Sequence, residues 1–554
     1  MKLNDMGFRG LGFGMLAMLL LSGDIQAGDV DAGERLYRYG IQASGQPVEA
    51  LGFGDVPIKG NQAACIQCHR RSGYGSYEGG YYIPPITQPY LFAGRKITRD
   101  DRFRAQFYQA QDAMFLHQVR RFRNRPPYTV ETLGTLMRTG VDPVERQVEE
   151  LMPRYELSEH DLANLAAYLQ TLSIEISPGV SDDYVEIATI LHTDVPRGER
   201  DAIVGVMDSF VEWYNDRTLG DLALSGHSIY GSSLYTRYSR LYNLNVWEIS
   251  GPSDTWADQL QAHYDRHPVF ALVSGKVPGD WSEIGKFSDR LELPTLFPIT
   301  DVPHELPDLG GYTVYFNRGV YLEAEIMLEW LNEQEGDRVV QLFEDTPESR
   351  KSAAHFEEVA QRRAADLSVA SLQVEDLAAG KASLPEGVDH LIVWQNNPDA
   401  SQLAQWQSRS GATHVLLPDD AVEVLAQAPD AEGIEGLLFS YPRVLDQEYY
   451  PERYRARGWL NSRGLDFEAS RVQFSTLYAM MMFRDAFMHI LDHYHRDFLL
   501  EILEHEIQGS PNPGLYPDME LGARQRFVSK SGYMVQLDKS VPGGVSVVGR
   551  RIAP

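Results

Sequence analysis

Two cysteines and a histidine stand close enough in the sequence to share one chemical task. The motif is Cys65-Ile66-Gln67-Cys68-His69, and it contains both cysteines of the 554-residue chain. A C-x-x-C-H spacing places two thiols on one helical turn, where each can add to a vinyl group of haem while the histidine sits beneath the iron. The motif therefore predicts one covalently bound haem c, attached through Cys65 and Cys68, with His69 as an axial iron ligand.

Three other chemistries use a C-x-x-C pair. A structural zinc site needs four ligands, and the chain has a single such pair. A thioredoxin-like redox pair follows a strand and opens a helix, whereas Gly60-Asn61-Gln62 precedes this motif and a glycine-rich run at 73–80 follows it. A disulfide across two intervening residues would be strained. The haem interpretation is favoured over these alternatives.

The segments around the motif predict short helices. Residues 32–39 (AGERLYRY) form an amphipathic helix start, and residues 158–161 (SEHD) read as a capping box. An apolar stripe at helical spacing follows that box, and Leu151-Met152-Pro153 stands just before it. The stripe consists of Leu162, Leu165, Ala166 and Leu169.

With these features, residues 30–175 resemble a class I c-type cytochrome. The resemblance is carried by the C-x-x-C-H motif together with Gly33, Tyr37, Pro84 or Pro85, Met152-Pro153 and Tyr168-Leu169. It implies an all-α cytochrome domain over residues 28–176, a proline carbonyl that orients His69, and Met152 as the second axial ligand. Met137 is the alternative methionine. A thioether paired with an imidazole favours outer-sphere electron transfer.

The pattern changes after Ser177-Pro178-Gly179, which reads as a linker. Short apolar runs alternate with helical segments, which is typical of parallel α/β layers. No G-x-G-x-x-G or P-loop motif follows a predicted strand, so nucleotide binding is not supported. The predicted elements include strands at 184–192, 338–343, 390–394, 414–417 and 437–440, and a long helix at 468–495.

Residues 177–554 resemble the type I periplasmic binding proteins, the family that includes branched-chain amino acid receptors. The resemblance is carried by Val269–Gly275 with Leu293–Leu296, by Tyr312–Arg318 and by Val339–Asp345. It implies two α/β lobes, roughly 183–335 and 336–554 with crossovers, around a ligand cleft.

By matching position, Ser274, Thr300 and Tyr315 would line that cleft, because ligands of α/β sheets sit at the carboxyl ends of strands. The alternative role is a helix cap for Ser274, a turn for Thr300 and core packing for Tyr315.

The net charge of −28 lies almost entirely in residues 179–554, which argues against nucleic acid as a partner. At the other end of the chain, Lys2, Arg9 and the apolar run Leu11–Leu21 predict a signal peptide over 1–27, cleaved after Ala27. No later stretch is apolar enough for a membrane span. These features predict a periplasmic protein.

The sequence therefore predicts a periplasmic monohaem cytochrome that transfers electrons to a redox partner protein. Its attached α/β module would bind a small molecule or dock that partner. A haem-containing ligand receptor or sensor is the first alternative, and a haem enzyme such as a peroxidase is the second. With both axial positions filled, an electron carrier or binding protein is favoured over an enzyme.

Overall fold

The computed structural model describes residues 28–78, 81–93, 125–173, 175–225, 239–304, 306–307, 310–364, 366–395, 397–465, 469–509, 512, 514–522 and 524–554. The predicted signal peptide lies outside these ranges. The described residues belong to two compact units, one ending at residue 173 and the other beginning at residue 175. We call them the N-terminal and the C-terminal unit.

The N-terminal unit contains short helices and even shorter strands. Strands β2, β1 and β5 form one antiparallel sheet, in that order, while β3 and β4 form a hairpin. The elements are α1 (Val30–Tyr39), β1 (Glu49–Leu51), β2 (Pro57–Lys59), α2 (Ile66–His69), β3 (Ser76–Glu78), β4 (Tyr81–Ile83), α3 (Gln88–Leu91), α4 (Val130–Thr139), β5 (Arg154–Tyr155) and α5 (Glu159–Thr171).

Helices α1 and α5 form the framework of this unit. Asp29 caps α1 and Ser158 caps α5, each accepting a backbone N–H of the first turn. The two helices cross closely at Gly33, where a Cβ atom would lie 2.1 Å from the carbonyl oxygen of Asn164. The rings of Tyr37 and Tyr168 pack beside that crossing at 5.3 Å. Gly33 is therefore required by backbone contact.

The expectation of an all-α domain for residues 28–176 is not met. The described part of this unit contains two small sheets, and α2 and α3 are single turns of four residues. The strands are two or three residues long, so they leave no alternating pattern that a sequence window could detect.

The C-terminal unit begins with an all-parallel sheet, which is the centre of lobe 1. Its strand order is β10-β9-β8-β6-β7. The elements are β6 (Tyr184–His192), α6 (Arg197–Ser225), β7 (Leu241–Ile249), α7 (Trp256–Arg266), β8 (Ala271–Val273), α8 (Ser282–Arg290), β9 (Thr295–Leu296) and β10 (Thr313–Val314).

Lobe 2 repeats this topology and adds two antiparallel strands. Its strand order is β12-β11-β13-β14-β15-β16-β17, with β16 and β17 antiparallel to their neighbours. The elements are α9 (Val320–Leu331), β11 (Arg338–Phe343), α10 (Pro347–Arg363), β12 (Ser368–Gln373), α11 (Val374–Ala378), β13 (His390–Trp394), α12 (Ala400–Ser410), β14 (His414–Leu417), α13 (Ala421–Leu425), β15 (Leu437–Tyr441), β16 (Tyr533–Leu537) and β17 (Val545–Val547).

Between β15 and β16 the chain returns to lobe 1. It runs through α14 (Pro451–Asn461), α15 (Ser470–His489) and α16 (Arg496–Gly509), and α15 packs against α6 and β8. Helix α9 instead packs on the sheet of lobe 2, with Ile326 and Met327 fully buried. The two lobes therefore exchange helices.

Several predicted strands are confirmed to the residue, including β6, β11, β13 and β14. The long helix predicted at 468–495 ends earlier than expected, because α15 stops at His489 and Leu491 adopts a left-handed conformation with φ of 55°. Among the described residues, no helix is long and apolar enough to cross a membrane.

Candidate functional site

A cavity of about 410 Å³ lies inside the N-terminal unit. The single turn of α2 brings Cys65, Cys68 and His69 to its wall, and the segment before β5 brings Met152. The four residues singled out from the sequence are thus collected around one space. Apolar side chains of α4 and α5, among them Leu136 and Leu165, complete the lining.

His69 has a defined orientation in this cavity. Its Nδ1 lies 3.0 Å from the carbonyl oxygen of Pro84, which identifies Pro84 rather than Pro85 as the proline that holds the ring. Burial lowers the pKa of His69 to about 4, although the Pro84 contact opposes that shift. The imidazole is therefore neutral, with Nδ1–H donating to Pro84.

The cysteines are free thiols, and burial raises the pKa of Cys65 to about 12, with a further contribution from Cys68. A thiol with such a pKa is protonated at neutral pH and is a poor nucleophile. Both methionines weighed from the sequence reach the cavity, since buried Met137 of α4 lines it together with Met152.

A second candidate site lies in the C-terminal unit, at the carboxyl ends of the parallel strands. Both sheets have the order 2-1-3-4-5 in their parallel parts. In sheets of this order, helices switch from one face to the other between the first and third strands, and ligands bind in the crevice outside the strand ends. Those positions are the loops after β6 and β8 in lobe 1 and after β11 and β13 in lobe 2.

The three predicted cleft residues each have partners inside the protein. Ser274 is buried with φ of 56°, and its Oγ lies 2.9 Å from Oγ1 of Thr476 on α15. Thr300 Oγ1 accepts the backbone N–H of Val302 at 3.2 Å and so forms a turn. The roles of these residues in ligand binding stay predictions.

Tyr315 is buried in the core of lobe 1. Its hydroxyl lies 2.5 Å from Nδ1 of His304, whose Nε2 lies 3.0 Å from Asp289 Oδ2. Its ring stacks on Phe527 at 5.5 Å. These contacts fix the side chain in place, and its role in ligand binding likewise stays a prediction.

Charged residues that sequence reasoning missed gather where the two lobes meet. Asp301 follows β9 in lobe 1, whereas Asp419 and Asp420 follow β14 in lobe 2. Arg471, on the first turn of α15, lies 3.3 Å from Asp420 Oδ1 and 3.7 Å from Asp419 Oδ2. Arg443 also pairs with both aspartates. We call these five residues the cleft cluster.

A buried glutamate adds a further acidic group beside the cleft cluster. Glu323 of α9 accepts the backbone N–H of Asp419 at 2.7 Å and the hydroxyl of Ser440 at 2.6 Å. Burial raises its pKa well above the usual range, and the charge of Asp419 adds to this. The pKa of Asp419 is also raised well above its usual range by burial, which Arg471 only partly opposes.

Asp301 is exposed to solvent as a residue, whereas its carboxyl group is desolvated by the protein around it. That environment raises its pKa to about 6, and Asp420 contributes to the rise while Arg471 and Lys276 oppose it. The two guanidinium groups of the cluster therefore do not fully compensate its carboxyl groups.

A small gap lies between the lobes at the cleft cluster. It has a volume of about 20 Å³ and is lined from lobe 1 by Asp301 and from lobe 2 by Glu348, Trp394 and Asp420. This is room for about one water molecule, whereas ligand sites typically have about 300–1,000 Å³. At this gap the lobes are in close contact, and a ligand can occupy it only if they separate.

The comparisons with solved structures match substrate-binding proteins. One is a fatty acid ABC transporter substrate-binding protein from Thermomonospora curvata, with TM-score 0.47 and 14% identity, covering 69% of this chain and 95% of that one. Another is a branched chain amino acid ABC transporter protein from Thermus thermophilus with bound valine, with TM-score 0.49, 14% identity, and 68% and 98% coverage.

A third is a solute binding protein from Rhodopseudomonas palustris with 3,4-dihydroxy benzoic acid, with TM-score 0.46, 12% identity, and 67% and 98% coverage. No protein-family model matches the chain, and no curated protein matches it. The two sheets of the C-terminal unit show directly the two-lobed α/β fold predicted for this part of the chain.

These findings contradict the predicted function. The matched structures are described as ligand-binding proteins and not as cytochromes, so they give no support to a cytochrome domain, a haem c, electron transfer or a redox partner protein. In addition, the described residues contain no group of three or more His, Cys, Asp or Glu that could hold a metal ion. The cofactor and function predicted from Cys65, Cys68, His69 and Met152 are corrected accordingly, and what remains at these residues is the cavity described above.

Proposed function

We propose that the C-terminal unit binds a small molecule carrying a positively charged nitrogen between its two lobes, in the periplasm. The excess of carboxyl groups in the cleft cluster carries this proposal. Asp301, Asp419 and Asp420 face two guanidinium groups, and Glu323 adds a fourth carboxyl group behind them. The raised pKa values of Asp301, Asp419 and Glu323 show that their ionised forms lack compensating positive charge, and a cationic group of the ligand would favour those forms.

The position of the cluster supports a binding role. Its acids come from the strand ends of both sheets, so one ligand could contact both lobes and hold them together. The side chains of Asp420 and Arg471 are 36% and 39% exposed, so they are accessible to a ligand in spite of the surrounding protein.

The site should also respond to pH in a defined direction. Asp301, with a pKa of about 6, is largely ionised at pH 7.5 and largely protonated at pH 5. A cationic ligand favours the ionised form, so its binding should weaken as the pH falls through about 6. An anionic ligand held by Arg471 would show the opposite trend.

The test is a thermal unfolding screen of the full chain with primary amines, amino acids, polyamines and quaternary ammonium compounds, alongside matched carboxylic acids without a nitrogen. At 100 times the dissociation constant, a ligand adds about 2.7 kcal/mol to the free energy of unfolding, which raises the midpoint measurably. We expect the shift with nitrogen cations. A shift only with carboxylic acids, or with no compound in the panel, contradicts the proposal.

Two variants make the test specific to the cluster. Asp420→Asn removes an accessible charge of the cluster and should weaken binding at least tenfold, because a charge-assisted contact is lost. Asp366→Asn is the matched control, since Asp366 is an exposed acid of the same lobe just before β12, at the opposite end of the sheet. Equal effects of the two variants would place the ligand elsewhere.

A further inference from the structure

One ion pair joins the two lobes away from the cleft cluster. Lys351, on α10 of lobe 2, donates to Asp280 Oδ2 of lobe 1 at 2.8 Å. Asp280 lies in the loop between β8 and α8, and its other oxygen accepts the backbone N–H of Ser282 at 2.8 Å. One partner is therefore anchored by its own loop, and the other extends from a helix of the opposite lobe.

The pair is partly shielded from solvent. The side chains of Lys351 and Asp280 are 34% and 23% exposed, respectively. The pKa of Asp280 is lowered because its contacts with Lys351 and Ser282 outweigh the effect of burial. The carboxylate is therefore ionised over the whole neutral range, and the pair keeps both of its charges.

This contact lies at the entrance to the gap between the lobes. Glu348 of lobe 2 lines the gap, one helical turn before Lys351. On the side of lobe 1, a Cβ atom at Gly279 would lie 3.3 Å from Oε1 of Glu348. Segments on both sides of the ion pair thus face each other across the cleft. Separation of the lobes must break the pair.

We propose that Lys351 and Asp280 form a latch that holds the lobes closed and controls access to the cleft. This inference depends on the proposed function in one respect, namely that the ligand enters through the cleft. The latch stabilises the closed form in the absence of ligand. It makes opening depend on ionic strength, because salt screens a partly exposed pair.

The experiment measures opening without any ligand, in the full chain. Val320 is 7% exposed and lines the gap, so V320C places a thiol that a maleimide reaches only after the lobes separate. Labelling at position 320 is read by peptide mass spectrometry, which separates it from Cys65 and Cys68. In this background, Lys351→Met or Asp280→Asn should raise the labelling rate about two- to five-fold, the range expected for a pair of this exposure.

Two further variants serve as controls. Arg350→Met removes the neighbouring charge, whose partner Asp345 belongs to the same lobe, and should leave the rate unchanged. Exchange of the two charges, Lys351→Asp with Asp280→Lys, should restore slow labelling. Raising the salt from 0.05 to 0.5 M should speed labelling in the V320C background, and the replacement of Lys351 should reduce this salt dependence to the part that comes from the ion pairs of the cleft cluster.

Unchanged labelling in both Lys351→Met and Asp280→Asn would overturn the latch, and so would an equal increase in Arg350→Met. Neither result depends on a ligand. A failed ligand screen therefore leaves the latch intact, and a failed latch leaves the charge argument for the cleft intact.

Discussion

Breaking the buried ion pair between Glu504 and Arg526 should destabilise the C-terminal unit strongly. Arg526 Nη1 lies 2.7 Å from Glu504 Oε1, and the two side chains are 3% and 6% exposed, respectively. Arg526 also donates to the carbonyl of Gly311 at 2.9 Å, while Glu504 accepts the backbone N–H of Arg524 at 2.9 Å. The pair ties α16 to the segment that runs beside β10.

The magnitude follows from this burial. Glu504→Gln keeps the size of the side chain but leaves the guanidinium of Arg526 buried without a counter-charge. Removing one partner of a desolvated pair costs about 3–5 kcal/mol, whereas an exposed pair contributes about 0–1 kcal/mol. Replacing both partners with apolar residues, as in Glu504→Leu with Arg526→Met, should recover most of that loss, because the unpaired charge is gone.

Tryptophan fluorescence is the suitable assay. All eight tryptophans lie between residues 213 and 459, so the signal reports on the C-terminal unit alone. Urea unfolding should show the loss for Glu504→Gln, and the control Glu283→Gln should change the free energy of unfolding by less than about 1 kcal/mol, because its partner Lys286 is 68% exposed. A loss below about 1 kcal/mol for Glu504→Gln, or a double variant weaker than the single one, would refute the reasoning.

Two further predictions concern stability. Burial lowers the pKa of His390 and of His414, whose rings stack, and His414 lowers the pKa of His390 further. As the pH falls below about 6.5, the unfolded chain therefore binds more protons than the folded chain. The free energy of unfolding of the C-terminal unit should therefore be at its full value at pH 7 and fall between pH 7 and 5. It should fall less over this range in the double variant His390→Gln, His414→Asn. Identical pH slopes of the two proteins in urea unfolding would contradict this prediction. In the N-terminal unit, Gly33→Ala should separate α1 from α5 and speed amide exchange in both helices, whereas Gly52→Ala, where φ is −81° and a Cβ atom would have its nearest neighbour at 3.5 Å, should leave exchange in these helices unchanged.

The strands of the C-terminal unit could be predicted because each is a short, wholly buried run. In β13 all five residues, His390–Trp394, are buried, and parallel strands covered on both faces show as continuous apolar segments. The helix predicted at 468–495 extended too far, because the apolar pattern continues past His489, the last residue of α15. Only the backbone geometry shows the break there.

The side chains at the strand ends could not be assigned in the same way. Ser274 follows β8 as predicted for a cleft residue, but its Oγ lies 2.9 Å from Oγ1 of Thr476, a contact that the sequence does not indicate, and its role in ligand binding stays a prediction. The residues that do line the gap come from distant segments, and Asp301 meets Asp420 only after both lobes have formed. The available signal was an aspartate a few residues after a strand in each lobe, Asp301 after β9 and Asp419 after β14, and the rule about strand ends applies to acids as well as to hydroxyls.

One of the segments that link the two lobes lies next to the proposed site. The chain enters lobe 2 at α9, whose first backbone N–H, that of Val320, donates to the carbonyl of Asp301 at 2.9 Å. Gly319 has φ of 53° and passes so close to this carbonyl that a Cβ atom would lie 1.9 Å from its oxygen. A residue of the proposed site therefore also contacts one of the segments that link the two lobes. A ligand that contacts Asp301 would act next to this link, while the latch between Lys351 and Asp280 acts away from it.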